Sequence, residues 1–285
     1  LGYQIINGRV SGFFGNELIL GSFLLKIFPI IVWQLTYFQI EKKINKNLLI
    51  VFFTLYIFTI IISGERTSSA LALVFVFLII IFLPTLRKLF IISLLNVFLI
   101  LFIITVFKVG SYNPLNRIIL KTYDQIIIKQ NQERLNNKDY DTKKINKKFF
   151  VFSKDHEGHY LLAFKLFKDN PFFGSGPKGF RHYCRTVNYE PKIGICSTHP
   201  HNFFLQILSE LGLIGVFFYL LFQINLIINF FKVLNSKRVS IYKSSFLVIS
   251  LGVLVNIFPL LPSGNFFNNW NSIIIYYIVS LYYLS

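Results

Sequence analysis

Seven blocks of mostly apolar residues, near 17–39, 48–63, 68–86, 89–107, 203–231, 245–262 and 270–285, decide what this chain can fold into. A helix needs about 20 apolar residues to cross the roughly 30 Å hydrocarbon layer of a bilayer. Several blocks meet that length, while 48–63 and 270–285 are short. They run unbroken, without the alternation that turns one helix face toward a water-soluble core. Composition agrees, because only 14 % of the 285 residues are charged and 54 % are hydrophobic, where a soluble domain carries about 25 % charged residues. The expected fold is all-α: a polytopic transmembrane helical bundle with four helices in 1–107, one large loop with short helices in 108–201, and three helices in 202–285. The chain starts at Leu1 and has no Met, so it reads as part of a longer protein. Leu1–Ser11 has no basic head followed by an apolar run, as a cleavable signal peptide would.

Orientation follows from the basic residues of short loops, which resist translocation. One set of loops carries Lys42, Lys43, Lys46, Arg87, Lys88, Lys232, Lys237, Arg238 and Lys243. The opposite set, Ser63–Thr67 and Ser263–Asn269, carries Arg66 alone. The basic loops are therefore expected in the cytoplasm and the large loop outside, in the periplasm of a Gram-negative cell. That loop holds 17 Lys and Arg against 8 Asp and Glu. A basic surface on this side excludes nucleic acid as a partner and suits anionic head groups or a phosphate-bearing substrate. Lys138–Lys148 reads as a solvated polar run.

Cys184 and Cys196 both fall in the large loop, where an oxidising compartment permits a disulfide across the 185–195 segment. Two free or buried thiols are the other reading. Two soft ligands without a paired histidine spacing give no metal site. Glu210 and Gln206 stand four residues apart in the fifth block, on one helix face. An ionisable group in such a block is a functional candidate, and a bridge to a neighbouring helix is an equal one.

The large loop ends in Cys196-Ser-Thr-His-Pro-His-Asn202, directly before Phe203–Phe231. Pro200 suits the first turn of a helix, which puts His201 at the helix N-terminus. Free N–H groups there attract anions, and the same field favours the neutral imidazole that a general base requires. His199 and His201 are thus candidates for catalysis or, equally, for capping and anchoring the helix. Arg66 runs against the charge bias, which points to an anionic partner, and a guanidinium fork matches phosphate. An Arg66–Glu65 surface pair is the alternative. Arg9 is a weaker candidate for the same task.

His201-Asn202, nine residues, Gly212, two residues and Gly215 resemble the signature of the O-antigen ligase family. Arg9-Val-Ser-Gly-Phe-Phe-Gly-Asn16 and Ser63-Gly-Glu-Arg66 resemble that family's outer-face segments, and Asn170-Pro-Phe-Phe-Gly-Ser-Gly-Pro177 resembles the turn of its large periplasmic loop. The resemblance implies a GT-C-like, metal-independent glycosyltransferase of the bacterial inner membrane, without cofactor, acting in O-antigen, lipopolysaccharide or surface polysaccharide biosynthesis. Its donor would be a glycan on undecaprenyl pyrophosphate, and its acceptor lipid A–core in a ligase or another lipid-linked glycan in a polymerase. By the same resemblance His201 activates the acceptor hydroxyl and Arg66 holds the pyrophosphate, with Asn202, Gly212 and Gly215 of the signature in support; His199, His159 and Glu210 are supporting candidates by position and chemistry alone. The family's arginine before the Pro–Gly turn is missing; Arg181 and Arg185, with His156 or His159, are left to supply it. Glycines 174, 176 and 179 lack phosphate-loop spacing and read as a turn that aims Lys178 and Arg181. A flippase or transporter is the rival from another class. It predicts discontinuous helices or an inverted repeat, and neither is visible in the sequence.

Overall fold

The structure, a computed structural model, describes residues 5–6, 8–40, 44–108, 118–119, 154–186, 196–236 and 241–285. Lys42, Lys43, Lys237, Arg238 and the 138–148 run lie outside the described residues. The described residues are mainly helical: α1 (Leu20–Ile40), α2 (Lys46–Ile62), α3 (Arg66–Phe82), α4 (Pro84–Val106), α5 (Lys154–Asp169), α6 (Gly179–Thr186), α7 (Phe203–Leu234), α8 (Ile241–Asn256) and α9 (Asn269–Leu284). A short antiparallel pair, β1 (Ile5–Ile6) and β2 (Arg9–Val10), precedes them. By length and composition α4 and α7 suffice to cross a membrane, while the apolar stretches of α1, α2, α3 and α8 are shorter.

Local chemistry sets the helix ends. Asn45 caps α2 by accepting the Asn47 N–H at 2.9 Å, which satisfies one of the donors a helix start leaves open. Pro84 opens α4 and forces Leu83 into an extended conformation (φ −120°, ψ 85°), because a residue before proline is barred from the helical region. The division between the third and fourth blocks therefore falls at Leu83-Pro84, not at Arg87-Lys88 as the sequence suggested. Arg87 instead sits in the first turn of α4 and donates to the Ile80 and Ile81 carbonyls at 2.8 and 3.1 Å, closing the end of α3. The block near 245–262 is likewise shorter as a helix, ending at Asn256.

Three apolar clusters hold these elements. Phe28 of α1 is fully buried against Phe53, Tyr56, Phe75 and Phe90, which joins α1, α2, α3 and α4. Phe203, Ile249 and Ile278 anchor a second cluster among α7, α8 and α9. Leu162, Ala163, Leu166 and Phe180 form a smaller one that docks α5 and α6 against Leu205 of α7. The outward faces are apolar too: Phe98, Phe102, Phe217 and Phe218 are all more than half exposed.

α7 is discontinuous, contrary to the reading of the fifth block as one uninterrupted helix. Gly212 takes φ 66°, ψ −161°, a conformation that a residue with a Cβ adopts only under strain. The opened backbone bonds to the turn after α5. Ser175 and Gly176 donate to the Ser209 and Glu210 carbonyls (3.0 and 2.9 Å), and Leu213 and Ile214 donate to the Pro171 and Phe172 carbonyls (2.8 and 3.3 Å). A Cβ on Gly174 would overlap the Glu210 carbonyl, and one on Gly212 would overlap the Phe172 carbonyl. Gly215 lies one turn on, tight against Leu211 of its own helix.

Gly212→Ala is expected to destabilise the protein by about 1–3 kcal/mol from backbone strain, with further loss from the overlap. Thermal unfolding in detergent measures this, and Gly176→Ala, whose Cβ would meet open space, isolates the strain component.

Candidate active site

A cavity of about 570 Å³ opens where the starts of α1, α3 and α7 meet the end of α8. Its lining includes Arg9, Lys26, Glu65, Arg66, His156, His199, His201 and Asn256. The turn before α3 and the start of α7, far apart in sequence, thus face one space. Lys46, Arg87, Lys88, Lys232 and Lys243 belong to the other helix ends. A second cavity, of about 470 Å³, lies between α5 and α6 beside Asp169, Lys178 and His182, and of the residues singled out in the sequence only Lys178 and the glycine turn reach it.

Glu65 organises the near wall. Its carboxylate accepts the Gly21 and Ser22 N–H groups at 2.8 and 3.1 Å and the Ser68 hydroxyl at 3.2 Å. It pairs with Arg9 at 3.5 Å, and Arg9 also donates to the Leu18 carbonyl. One carboxylate thereby caps α1, whose positive end favours an anion, and ties β2 and α3 to it. The Val10 N–H donates to the Ser63 carbonyl at 3.0 Å and completes the tie. Arg9 is thus bonded into the architecture while also lining the cavity, and the carboxylate that the sequence offered to Arg66 pairs with Arg9. Arg66 itself is the first residue of α3, half-buried at the cavity wall.

The opposite wall is built on Asn202. It caps α7 by accepting the Leu205 N–H at 2.9 Å, while its amide donates to the Pro259 carbonyl at 2.9 Å. The helix starts at Phe203, as the fifth block does, so Pro200 and His201 precede the cap instead of occupying the first helical turn. His201 holds φ 54°, a left-handed conformation that is uncommon outside glycine and clusters at functional sites. Its carbonyl accepts the Ser263 N–H at 2.9 Å, which keeps the strained residue in place.

Four imidazoles gather here. The His201 ring centroid lies 4.0 Å from His199, 5.1 Å from His159 and 5.6 Å from His156. His201 Nε2 is 3.1 Å from the Ser197 hydroxyl, and His199 Nδ1 is 3.0 Å from the Thr198 hydroxyl. Burial lowers the His201 pKa to about 3, with the neighbouring His199, His159 and His156 adding to the fall. Burial likewise brings His199 down to about 4, reinforced by His159. Both rings are neutral at physiological pH. The cause is burial among like groups, where the sequence pointed to the helix terminus. Among the described residues no His, Cys, Asp or Glu group is arranged to hold a metal ion.

The remaining candidates sit outside this lining. Arg181 and Arg185 belong to α6; Arg185 is exposed, and Arg181 has a buried Nε and a charge that reaches His199 and Glu210. His159 is buried behind His201. Glu210 is fully buried, accepting the Phe180 N–H at 3.2 Å and the Gln206 amide at 3.1 Å, so it caps α6 and braces α7. Gln206 also donates to Asn265 at 2.8 Å. Cys184 and Cys196 form a disulfide, Cα atoms 5.5 Å apart, that joins α6 to the irregular segment leading to His199. Sequence reasoning missed Lys26 and Asn256. A single charge inside the first apolar block was the available signal for Lys26; Asn256 offered none.

A family model described as O-antigen ligase matches residues 50–220, more than half of the chain and the stretch holding both Arg66 and His201. No curated protein and no solved structure matches the chain.

Glu65→Ala is expected to cost about 1–3 kcal/mol, the penalty for orphaning buried donors, read as a lowered melting temperature. The depressed histidines make stability pH-dependent as well. Unfolded imidazoles take protons near pH 6.5 while His199 and His201 resist to about 4 and 3. Stability is therefore greatest above pH 6.5 and falls as pH drops from there toward 4 for His199 and toward 3 for His201. His201→Gln should flatten that part of the stability–pH curve.

Proposed function

The chain belongs to the O-antigen ligase family, an enzyme family acting on lipid-linked glycans, and on that premise we propose that it transfers a glycan from undecaprenyl pyrophosphate to an acceptor hydroxyl, lipid A–core in the ligase case. The observation that carries the reading is the shared lining of one cavity by Arg9, Arg66 and His201. In the proposed step the acceptor oxygen attacks the anomeric carbon from the face opposite the pyrophosphate, inverting its configuration. The bond from that carbon to the phosphate oxygen breaks and pyrophosphate leaves with the electron pair. Arg66, seconded by Arg9, offsets the leaving charge without a metal ion. His201 takes the hydroxyl proton. An imidazole of pKa about 3 is a weak base alone, but a bound pyrophosphate raises it by placing opposite charge beside the ring.

The same reading places the protein in the bacterial inner membrane as a multi-pass bundle, with 1–107 and 202–285 carrying the spans and 108–201 forming the periplasmic loop. Its supports are the apolar exteriors of α4 and α7, since exposed Phe and Leu in such number call for an apolar surrounding. The cavity then faces the periplasm. The break in α7 is the one observation that favours a transporter. Against it, the freed backbone groups are bonded to the turn at 171–176, which leaves them no substrate to hold.

His201→Ala should lower glycan transfer by about 10²–10⁴-fold, the range for loss of a general base, at unchanged membrane insertion. Normal product at normal expression would overturn the role. Product identity separates the subclasses: lost ligation leaves free lipid-linked polymer, and lost polymerisation leaves single repeats.

A further inference from the structure

Lys26 is the only charged residue of α1, only 7 % exposed, and lines the cavity. Among the described residues Lys26 has no hydrogen bond or ion pair within bonding distance, and the charge that reaches its ammonium is the Glu65 carboxylate. Glu65, the only acid among the described lining residues, is already held by Arg9, Ser68 and two backbone amides. A buried ammonium that shares its nearest acid with Arg9 and makes no direct bond to it is costly in an apolar helix, so its retention points to an anion that arrives from outside. Asn256 is also 7 % exposed and lines the same cavity. Its amide donates to the Gly252 carbonyl at 2.9 Å, while its Oδ1 is buried with no donor.

The two groups stand at one depth. Gly252 of α8 packs so closely on Pro29 of α1 that an added Cβ would overlap the proline ring. Lys26 lies three residues from Pro29 and Asn256 four from Gly252, both toward the cavity. At about 1.5 Å per residue these are advances of roughly 4.5 and 6 Å. The same cavity thus presents a cation without a direct hydrogen bond and an acceptor without a donor.

We propose that Lys26 and Asn256 form a phosphate-and-sugar subsite: the Lys26 ammonium binds the sugar-proximal phosphate of the donor, and Asn256 Oδ1 accepts a hydroxyl of the first sugar. The proposal rests on the transfer reading above and deepens it. A phosphate charge could also come from a phospholipid head group, so the test separates the two sources.

Binding of sugar-free undecaprenyl pyrophosphate is measured with the full chain in phosphatidylcholine nanodiscs, then repeated with phosphatidylglycerol added. Lys26→Met should weaken binding about 10- to 100-fold, the range for a lost charge-assisted contact, and Lys26→Arg should restore most of it. Asn256→Leu should leave sugar-free binding within about twofold yet raise KM for the glycosylated donor about tenfold. In the unsubstituted chain, undecaprenyl pyrophosphate should protect Lys26 from a small amine-reactive reagent, read by mass spectrometry, which keeps the proposal testable if Lys26→Met misfolds. Unchanged affinity in Lys26→Met, absent protection, or protection by phosphatidylglycerol alone would overturn it. His201→Ala is assayed alongside: normal turnover there defeats the transfer reading, whereas failure at Lys26 with loss of turnover at His201 defeats the subsite alone.

Discussion

Backbone hydrogen bonds that α7 gives up at Gly212 are re-formed with the Asn170–Gly176 turn, and the rest of the candidate site hangs on that exchange. An open helix interior with unpaired amides and carbonyls is costly away from water. The turn supplies two donors and two acceptors, and Gly174 and Gly212 let the two backbones come close enough for it. Glu210 strengthens the joint by capping α6. The consequence reaches the site because α5 enters this turn, carrying His156 and His159. They therefore meet His201, which is held by the same α7.

The second fastening is Glu65. Its carboxylate serves the α1 terminus, Ser68 and Arg9 together, so three segments converge on a single acid. Arg66, the next residue, is then presented at the cavity wall by a helix start that Glu65 ties to α1 and β2. The arrangement distributes labour between neighbours: Glu65 holds the architecture, and Arg66 faces the space. Asn202 and His201 repeat it on the far side, the first capping and bracing α7, the second turned by its left-handed backbone toward the cavity.

Electrostatically the cavity joins cations to imidazoles that burial keeps neutral. Adding an anion reverses the balance, since opposite charge stabilises protonated imidazole and relieves the mutual repulsion of Arg9 and Arg66.

Much of this was legible in the sequence. Apolar blocks longer than a soluble core requires, broken by polar turns, dictate helices, and the motifs around Arg66, Pro171 and His201 mark the family that the match over 50–220 shows. Periodicity and local chemistry act over a few residues, so they suffice for such features. The tertiary structure alone decided that Glu65 belongs to Arg9 and α1, that α7 breaks at Gly212 around a distant turn, and that Lys26 and Asn256 share the cavity with Arg66 and His201. Those outcomes depend on which surfaces meet across long stretches of chain, and residue spacing along one segment carries no record of that choice.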